Sequence, residues 1–115
     1  MDEAFCYLTT TGRKTGRPHE IEIWFATEDG RALYLLSGGG DRSDWVRNLV
    51  AEPRVQVRVG HQEWAATARL VEAGTDEDAR ARRLLVAKYA DPGTDDLSGW
   101  GRSALPVALD LDLDA

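Results

Sequence analysis

The sequence predicts a mainly β fold: a small antiparallel barrel of about six strands flanked by two helices, in one domain over residues 1–115. Short apolar runs alternate with polar residues at a period of two, and glycine-containing or acidic turns separate these runs. Only two stretches have helical character. With 43% hydrophobic residues in 115, the chain can bury one modest core and has no room for a second domain.

The strands follow from alternation and from the turn residues between them. Residues 4–10 are rich in aromatic and β-branched types, and residues 19–27 alternate so that Ile21, Ile23 and Phe25 share one face. The remaining strands are predicted at 32–36, 55–59, 63–71 and 107–113. Because short turns join consecutive strands, we expect antiparallel pairing.

The first helix is predicted over residues 44–51, after a glycine run at 37–40 and before a proline. Trp45, Asn48 and Leu49 share one face of this helix through their three- and four-residue spacing. Asn48 is therefore a polar side chain on an apolar stripe. It is either a buried asparagine that caps a neighbouring backbone group or part of a ligand site.

The second helix is predicted to begin at Thr75, with acidic residues in its first turn and basic residues towards its end. This charge distribution matches the helix dipole. Its apolar positions are expected to face the core. They are Ala81, Leu84, Leu85 and Tyr89.

Composition excludes several classes of function. A net charge of −6 argues against a general nucleic-acid binder, which needs a broad basic face. No apolar run approaches the ~20 residues that cross a bilayer, and the first residues lack a cationic, apolar leader, so we expect a cytoplasmic protein without a membrane partner. Cys6 is the single cysteine, so an internal disulfide is impossible; we expect it to pack as a small apolar residue, and we expect no metal site.

The segment TTTGRKTGRP at residues 9–18 carries three cations and no acid, against the negative charge of the whole chain. Its glycines expose backbone N–H groups, and with Arg13, Lys14 and the threonine hydroxyls they provide the donors that a phosphate or carboxylate requires. A solvated hairpin loop with ordinary surface cations is the alternative. The spacing differs from that of a phosphate-binding loop, so the sequence leaves both open.

The basic turn, the glycine run and the first helix together predict a site for a ligand that is anionic at one end and flat or apolar at the other. An aromatic wall could come from Trp24, Trp45 or Trp100. These features suit a phosphate-bearing aromatic cofactor. No hydrolase motif or metal signature is present.

Residues 8–18, the run Ser37-Gly38-Gly39-Gly40 and the stretch from Trp45 to Leu49 occur together and in order. This combination resembles the deazaflavin-dependent nitroreductase family, within the flavin/deazaflavin oxidoreductases, from about Tyr7 to the last strand. The resemblance implies a split β-barrel in the cytosol. It also implies hydride transfer from a reduced deazaflavin, coenzyme F420, to quinones, nitro compounds or other activated acceptors.

The resemblance further implies roles for individual residues. Arg13 and Lys14 would meet the phosphate and the acidic tail of the coenzyme, and Tyr89 is a candidate catalytic residue near the acceptor. His19 stands where members of the family commonly have an arginine. The other implied coenzyme contacts are Thr15, His19, Ser37, Gly38, Gly39, Trp45 and Asn48.

Two alternatives keep the same fold. The barrel could bind FMN as a reductase, or it could carry an apolar acid or a tetrapyrrole without catalysis. In each case we expect a homodimer, because Trp24 and Trp64 on the sheet faces would be costly to leave in water.

Overall fold

The chain folds into one curled antiparallel sheet with two helices packed against it. The computed structural model describes residues 3–89 and 104–113. Its elements are β1 Cys6–Thr11, β2 Pro18–Ile23, β3 Ala32–Ser37, a 3-10 turn at Gly40–Arg42, α1 Asp44–Ala51, β4 Arg54–Val59, β5 Gln62–Leu70, α2 Asp76–Tyr89 and β6 Leu105–Leu111. The strand order is β2-β1-β4-β5-β6-β3. Within these residues no helix is long and apolar enough to cross a membrane.

The predicted six strands and two helices are therefore confirmed, and α1 has the bounds that the sequence indicates. Three strand predictions were wrong at an end by two residues or more. The first strand begins at Cys6 rather than at residue 4. The second strand stops at Ile23 rather than at residue 27. The last strand begins two residues earlier than predicted, because Leu105 and Pro106 pair with the end of β3, and it ends at Leu111.

The chain beyond β2 crosses to the opposite edge of the sheet. Ala26 donates its backbone N–H to the carbonyl of Tyr34 at 3.0 Å, and Tyr34 donates to Ala26 at 2.8 Å. Since β2 and β3 are the two edge strands, this isolated pair of hydrogen bonds joins the edges and closes the curled sheet at one point. The result is a partly open barrel.

The apolar side chains form two clusters on either side of β3. Leu33 and Leu35 lie in the cluster inside the barrel. Tyr34 and Leu36 lie in a second cluster, between the sheet and α2. Burial on both faces explains why this strand is almost continuously apolar.

The predicted core face of α2 is confirmed in part. Ala81 and Leu85 are fully buried in the second cluster, whereas Leu84 and Tyr89 are only partly buried against it.

An ionic cluster fastens α2 to the outer face of the sheet. Arg69 donates to both carboxylate oxygens of Glu77, at 2.6 and 2.7 Å, and to Asp110 at 2.7 Å. The hydroxyl of Tyr34 donates to Glu77 at 2.9 Å. The hydrogen bonds from Arg69 lower the pKa of Glu77 to about 2, so its carboxylate stays charged at neutral pH.

Cys6 is completely buried in the cluster inside the barrel. Its burial raises the pKa of the thiol to about 12, so the group stays protonated at neutral pH. The expectation that Cys6 packs as a small apolar residue is confirmed.

Candidate functional site

A cavity of about 440 Å³ lies between the β1–β2 turn and the first turns of α1. Its volume falls within the range of small-molecule sites. Cationic, polar and apolar side chains all contribute to its wall. The lining residues are Thr10, Gly12, Arg13, Lys14, Thr15, His19, Glu20, Ile21, Asp44, Trp45 and Asn48.

Two backbone hydrogen bonds close the β1–β2 turn. Gly12 donates to the carbonyl of Arg17 at 2.8 Å, and Gly16 donates to the carbonyl of Gly12 at 2.8 Å. Gly16 has a φ of 72°, a left-handed conformation that favours glycine over other residues. This closed turn presents the three residues between the glycines, Arg13, Lys14 and Thr15, to the cavity.

The imidazole of His19 lies directly against the backbone of Gly12. A Cβ atom at position 12 would come within 2.7 Å of His19 Nε2 and 2.9 Å of Thr15 Oγ1, closer than such atoms can approach. Glycine is therefore needed here for space. It lets the His19 ring fold over the turn and join the cavity wall.

Asn48 holds Arg13 in place from the helix side of the cavity. Its side-chain oxygen accepts the backbone N–H of Arg13 at 3.2 Å and Arg13 Nη1 at 2.8 Å. Because both Arg13 groups can only donate, the amide oxygen must face them, and the amide nitrogen donates to Thr10 Oγ1 at 3.2 Å. Asn48 thus caps a backbone group, the first role considered from the sequence, and it also lines the cavity. Its contact with a ligand stays a prediction.

The side chains that line the cavity but were not predicted as coenzyme contacts are Thr10, Glu20, Ile21 and Asp44. Thr10 is 1% exposed and points inward, as the alternation of β1 with the buried Cys6 and Leu8 could have indicated. Asp44 was interpreted only as a helix start, but its carboxylate lies 3.3 Å from Arg13 Nη2. The four-residue spacing between Asp44 and Asn48 places both on one side of α1, which was a usable signal.

Of the two candidate tryptophans that the structure describes, one lines the cavity. Trp45 borders it and packs partly against the interior cluster. The expectation that Trp24 could contribute was wrong, because Trp24 stacks on Tyr89 with ring centroids 4.3 Å apart and packs against the second cluster. Trp100 lies outside the described residues.

Ser37 is the last residue of β3, and Gly38 and Gly39 follow it in the loop that leads to α1. The hydroxyl of Ser37 donates to the carbonyl of Gly40 at 2.8 Å and lies 2.9 Å from Ser43 Oγ. Within the described residues, these three do not form part of the cavity wall. Their contact with a coenzyme stays a prediction.

Tyr89 is held at the far end of α2. Its hydroxyl donates to the carbonyl of Ala4 at 2.6 Å and accepts the backbone N–H of Phe25 at 3.0 Å. Burial raises the pKa of Tyr89, so the phenol stays protonated. The described structure does not bring Tyr89 to the cation-lined cavity, and its catalytic role stays a prediction.

Comparison with known proteins identifies the family. A family model described as F420H(2)-dependent quinone reductase matches residues 2–112. The chain belongs to this family. An F420H(2)-dependent quinone reductase of Mycobacterium tuberculosis is 33% identical over 104 residues, which cover 89% of this chain and 69% of the relative.

Solved structures agree with this F420H(2)-dependent quinone reductase family at the level of the fold. An F420-H2 dependent reductase has a TM-score of 0.71 at 23% identity, covering 92% of this chain and 93% of the other. A heme storage protein from Vibrio cholerae has a TM-score of 0.73 at 15% identity, covering 96% and 82%. The predicted split-barrel fold is confirmed. The predicted function, a deazaflavin-dependent oxidoreductase that uses coenzyme F420, is confirmed at the level of the family.

The residues of the cavity fit the coenzyme of an F420H(2)-dependent quinone reductase. The family resemblance gives that coenzyme a phosphate and an acidic tail, and Arg13 and Lys14 bring cationic groups to the cavity beside the imidazole of His19. Trp45 adds a flat apolar surface beside them. Both kinds of contact are present within a single cavity.

Proposed function

We propose that this chain binds reduced coenzyme F420 in the cavity between the β1–β2 turn and α1 and uses it to reduce a quinone. The observation that carries the proposal is the convergence of Arg13, Lys14 and His19 on a cavity that Trp45 also lines. Membership of the F420H(2)-dependent quinone reductase family supports the choice of coenzyme and acceptor.

The chain's own contribution would be binding and orientation. Arg13, fixed by Asn48, and the exposed Lys14 would hold the anionic part of the coenzyme. Trp45 would support an aromatic part. When bound in its reduced form, the coenzyme supplies the hydride, so the protein needs to fix its geometry relative to the acceptor.

Fluorescence titration with coenzyme F420 tests this proposal directly. We expect saturable quenching with the wild type, weaker binding with Lys14→Ala, and none with Arg13→Ala/Lys14→Ala, while circular dichroism shows a retained fold. Arg17→Ala is the matched control, because Arg17 is an exposed cation of the same turn that lies outside the cavity wall. Unchanged affinity in the double variant would refute the site, and a wild type that does not bind would refute the function.

The acceptor is tested by following oxidation of the reduced coenzyme with a water-soluble quinone and, separately, with a nitroaromatic compound. We propose the quinone as the better acceptor and the nitro compound as a secondary one. A rate with the nitro compound that exceeds the quinone rate would reverse this order.

The two alternative ligands are tested on the same preparation. A yellow protein as purified would favour FMN. A lipid or tetrapyrrole seen by native mass spectrometry, together with no hydride transfer to any quinone, would favour a carrier.

The homodimer and the cytoplasmic location stay predictions. The reason given for the dimer is weaker in the structure, because Trp24 and Trp64 both pack partly against the core clusters of a single chain. Light scattering of the purified protein tests the dimer, and a monomer would refute it. Fractionation of the native host tests the location.

A further inference from the structure

We infer that Asp44 competes with the anionic ligand for Arg13 and thereby weakens binding at the cavity. Asp44 lines the cavity, and its carboxylate lies 3.3 Å from Arg13 Nη2. The inference rests on the proposed function for the identity of the ligand. It concerns a residue to which the family resemblance gave no role.

Arg13 contacts two side chains with different roles: Asn48 positions it, and Asp44 competes with the ligand for it. Asn48 is 5% exposed and binds Arg13 twice, once at the backbone and once at Nη1, with a shorter distance of 2.8 Å. Asp44 reaches only Nη2, and its side chain is 87% exposed against 23% for that of Arg13. The position of Arg13 therefore does not depend on Asp44.

Asp44 can leave Arg13 at low cost. It is the first residue of α1, where the helix dipole favours a carboxylate with or without a partner. An exposed ion pair of this kind changes an equilibrium constant by only about twofold to fivefold. An incoming phosphate or carboxylate can therefore displace it.

This arrangement keeps Arg13 paired when the cavity empties. A hydride donor is oxidised once in each turnover, so a reductase of this kind must release its oxidised coenzyme or have it reduced again. An internal carboxylate that takes the place of the departing anion lowers the free energy of the empty site and speeds release. Its removal should act mainly on the dissociation rate.

The variant Asp44→Asn tests the inference through the sign of its effect. Asparagine is also tolerated at a helix start, so we expect the fold to be kept. We expect coenzyme F420 to bind about twofold to fivefold more tightly, with slower dissociation and a lower KM for the coenzyme. If Asp44 instead helped to position Arg13, the same change would weaken binding, and that result would overturn the inference.

Two further variants make the test specific. Asp41→Asn removes the same charge from an exposed residue of the 3-10 turn, outside the cavity wall, and should change the affinity by less than about twofold. In an Arg13→Gln background, Asp44→Asn should lose most of its effect, because the competition requires Arg13. An equal gain with and without Arg13 would indicate general repulsion and overturn the inference.

Inorganic pyrophosphate separates this inference from the proposed function. If the protein does not bind coenzyme F420 but Asp44→Asn tightens pyrophosphate binding, measured by calorimetry, the proposed function fails and the competition stands. If coenzyme F420 binds the wild type and Asp44→Asn equally, the competition fails and the proposed function stands. If neither ligand binds either protein, both are overturned.

Discussion

The substitution Asn48→Ala tests how Arg13 is held in the cavity. It removes two hydrogen bonds to Arg13 and one to Thr10, all made by a side chain that is 5% exposed. A bond to a charged donor contributes about 1.5–3 kcal/mol and a neutral one about 0.5–1.5 kcal/mol. Water can replace part of this because the Arg13 side chain is 23% exposed, so we expect a loss of about 2–4 kcal/mol in the free energy of unfolding.

Asn48→Ala should also weaken coenzyme binding, although it leaves the Arg13 side chain in place. Arg13 would have to be ordered at the moment of binding, which costs about 0.5–1.5 kcal/mol for a long side chain. That cost corresponds to roughly twofold to tenfold weaker affinity. Arg13→Ala should be more severe, since it removes the contact as well as its positioning.

Chemical denaturation and fluorescence titration with coenzyme F420 measure the two effects separately. Val50→Ala, at a 58% exposed position of the same helix, is the control and should bind normally. If Asn48→Ala binds as the wild type does while Arg13→Ala loses binding, the positioning role of Asn48 is refuted.

Three further predictions concern other parts of the molecule. Gly12→Ala should displace the His19 ring and weaken coenzyme binding at least about threefold. It should cost less than ~1 kcal/mol of stability, because the new methyl group meets the end of the His19 side chain, which can move away. Glu77→Gln should cost about 1 kcal/mol at pH 7. Because the pKa of Glu77 is lowered in the folded wild type, the stability that its carboxylate contributes is fully present above about pH 4.5 and is lost as the pH falls towards 2. The melting temperature of Glu77→Gln should therefore fall less than that of the wild type over this pH range. Tyr89→Phe should cost about 1 kcal/mol in stability and leave kcat unchanged, whereas a large fall in kcat would support its role as a proton donor.

Local sequence patterns were sufficient to predict the helices and strands, but they did not predict every residue that lines the site. The bounds of α1 and the turn at residues 12–16 depend on residue spacing, on the proline that follows the helix and on glycine, which act over a few residues. The position of Trp24 depends instead on packing with Tyr89, a residue far along the chain. Alternation alone could place Trp24 on one face of a strand but could not indicate what covers that face.

The contacts that shape the cavity illustrate the same limit. Arg13 and Asn48 were each predicted to bind the coenzyme, and the structure places both at the cavity. The hydrogen bonds between them, across 35 positions of sequence, were not predictable, because they require the turn and the helix to meet in space. The approach of Asp44 to Arg13 depends on that same meeting.

Within residues 3–89 and 104–113, the cavity lining comes from one continuous piece of the chain, between Thr10 and Asn48. The strands β4, β5 and β6 and the helix α2 lie later in sequence and support the barrel from elsewhere. The anion-binding wall can therefore be inherited unchanged while the second half of the chain diverges. In such a protein, chimeras that exchange the residues after α1 should keep their affinity for the coenzyme.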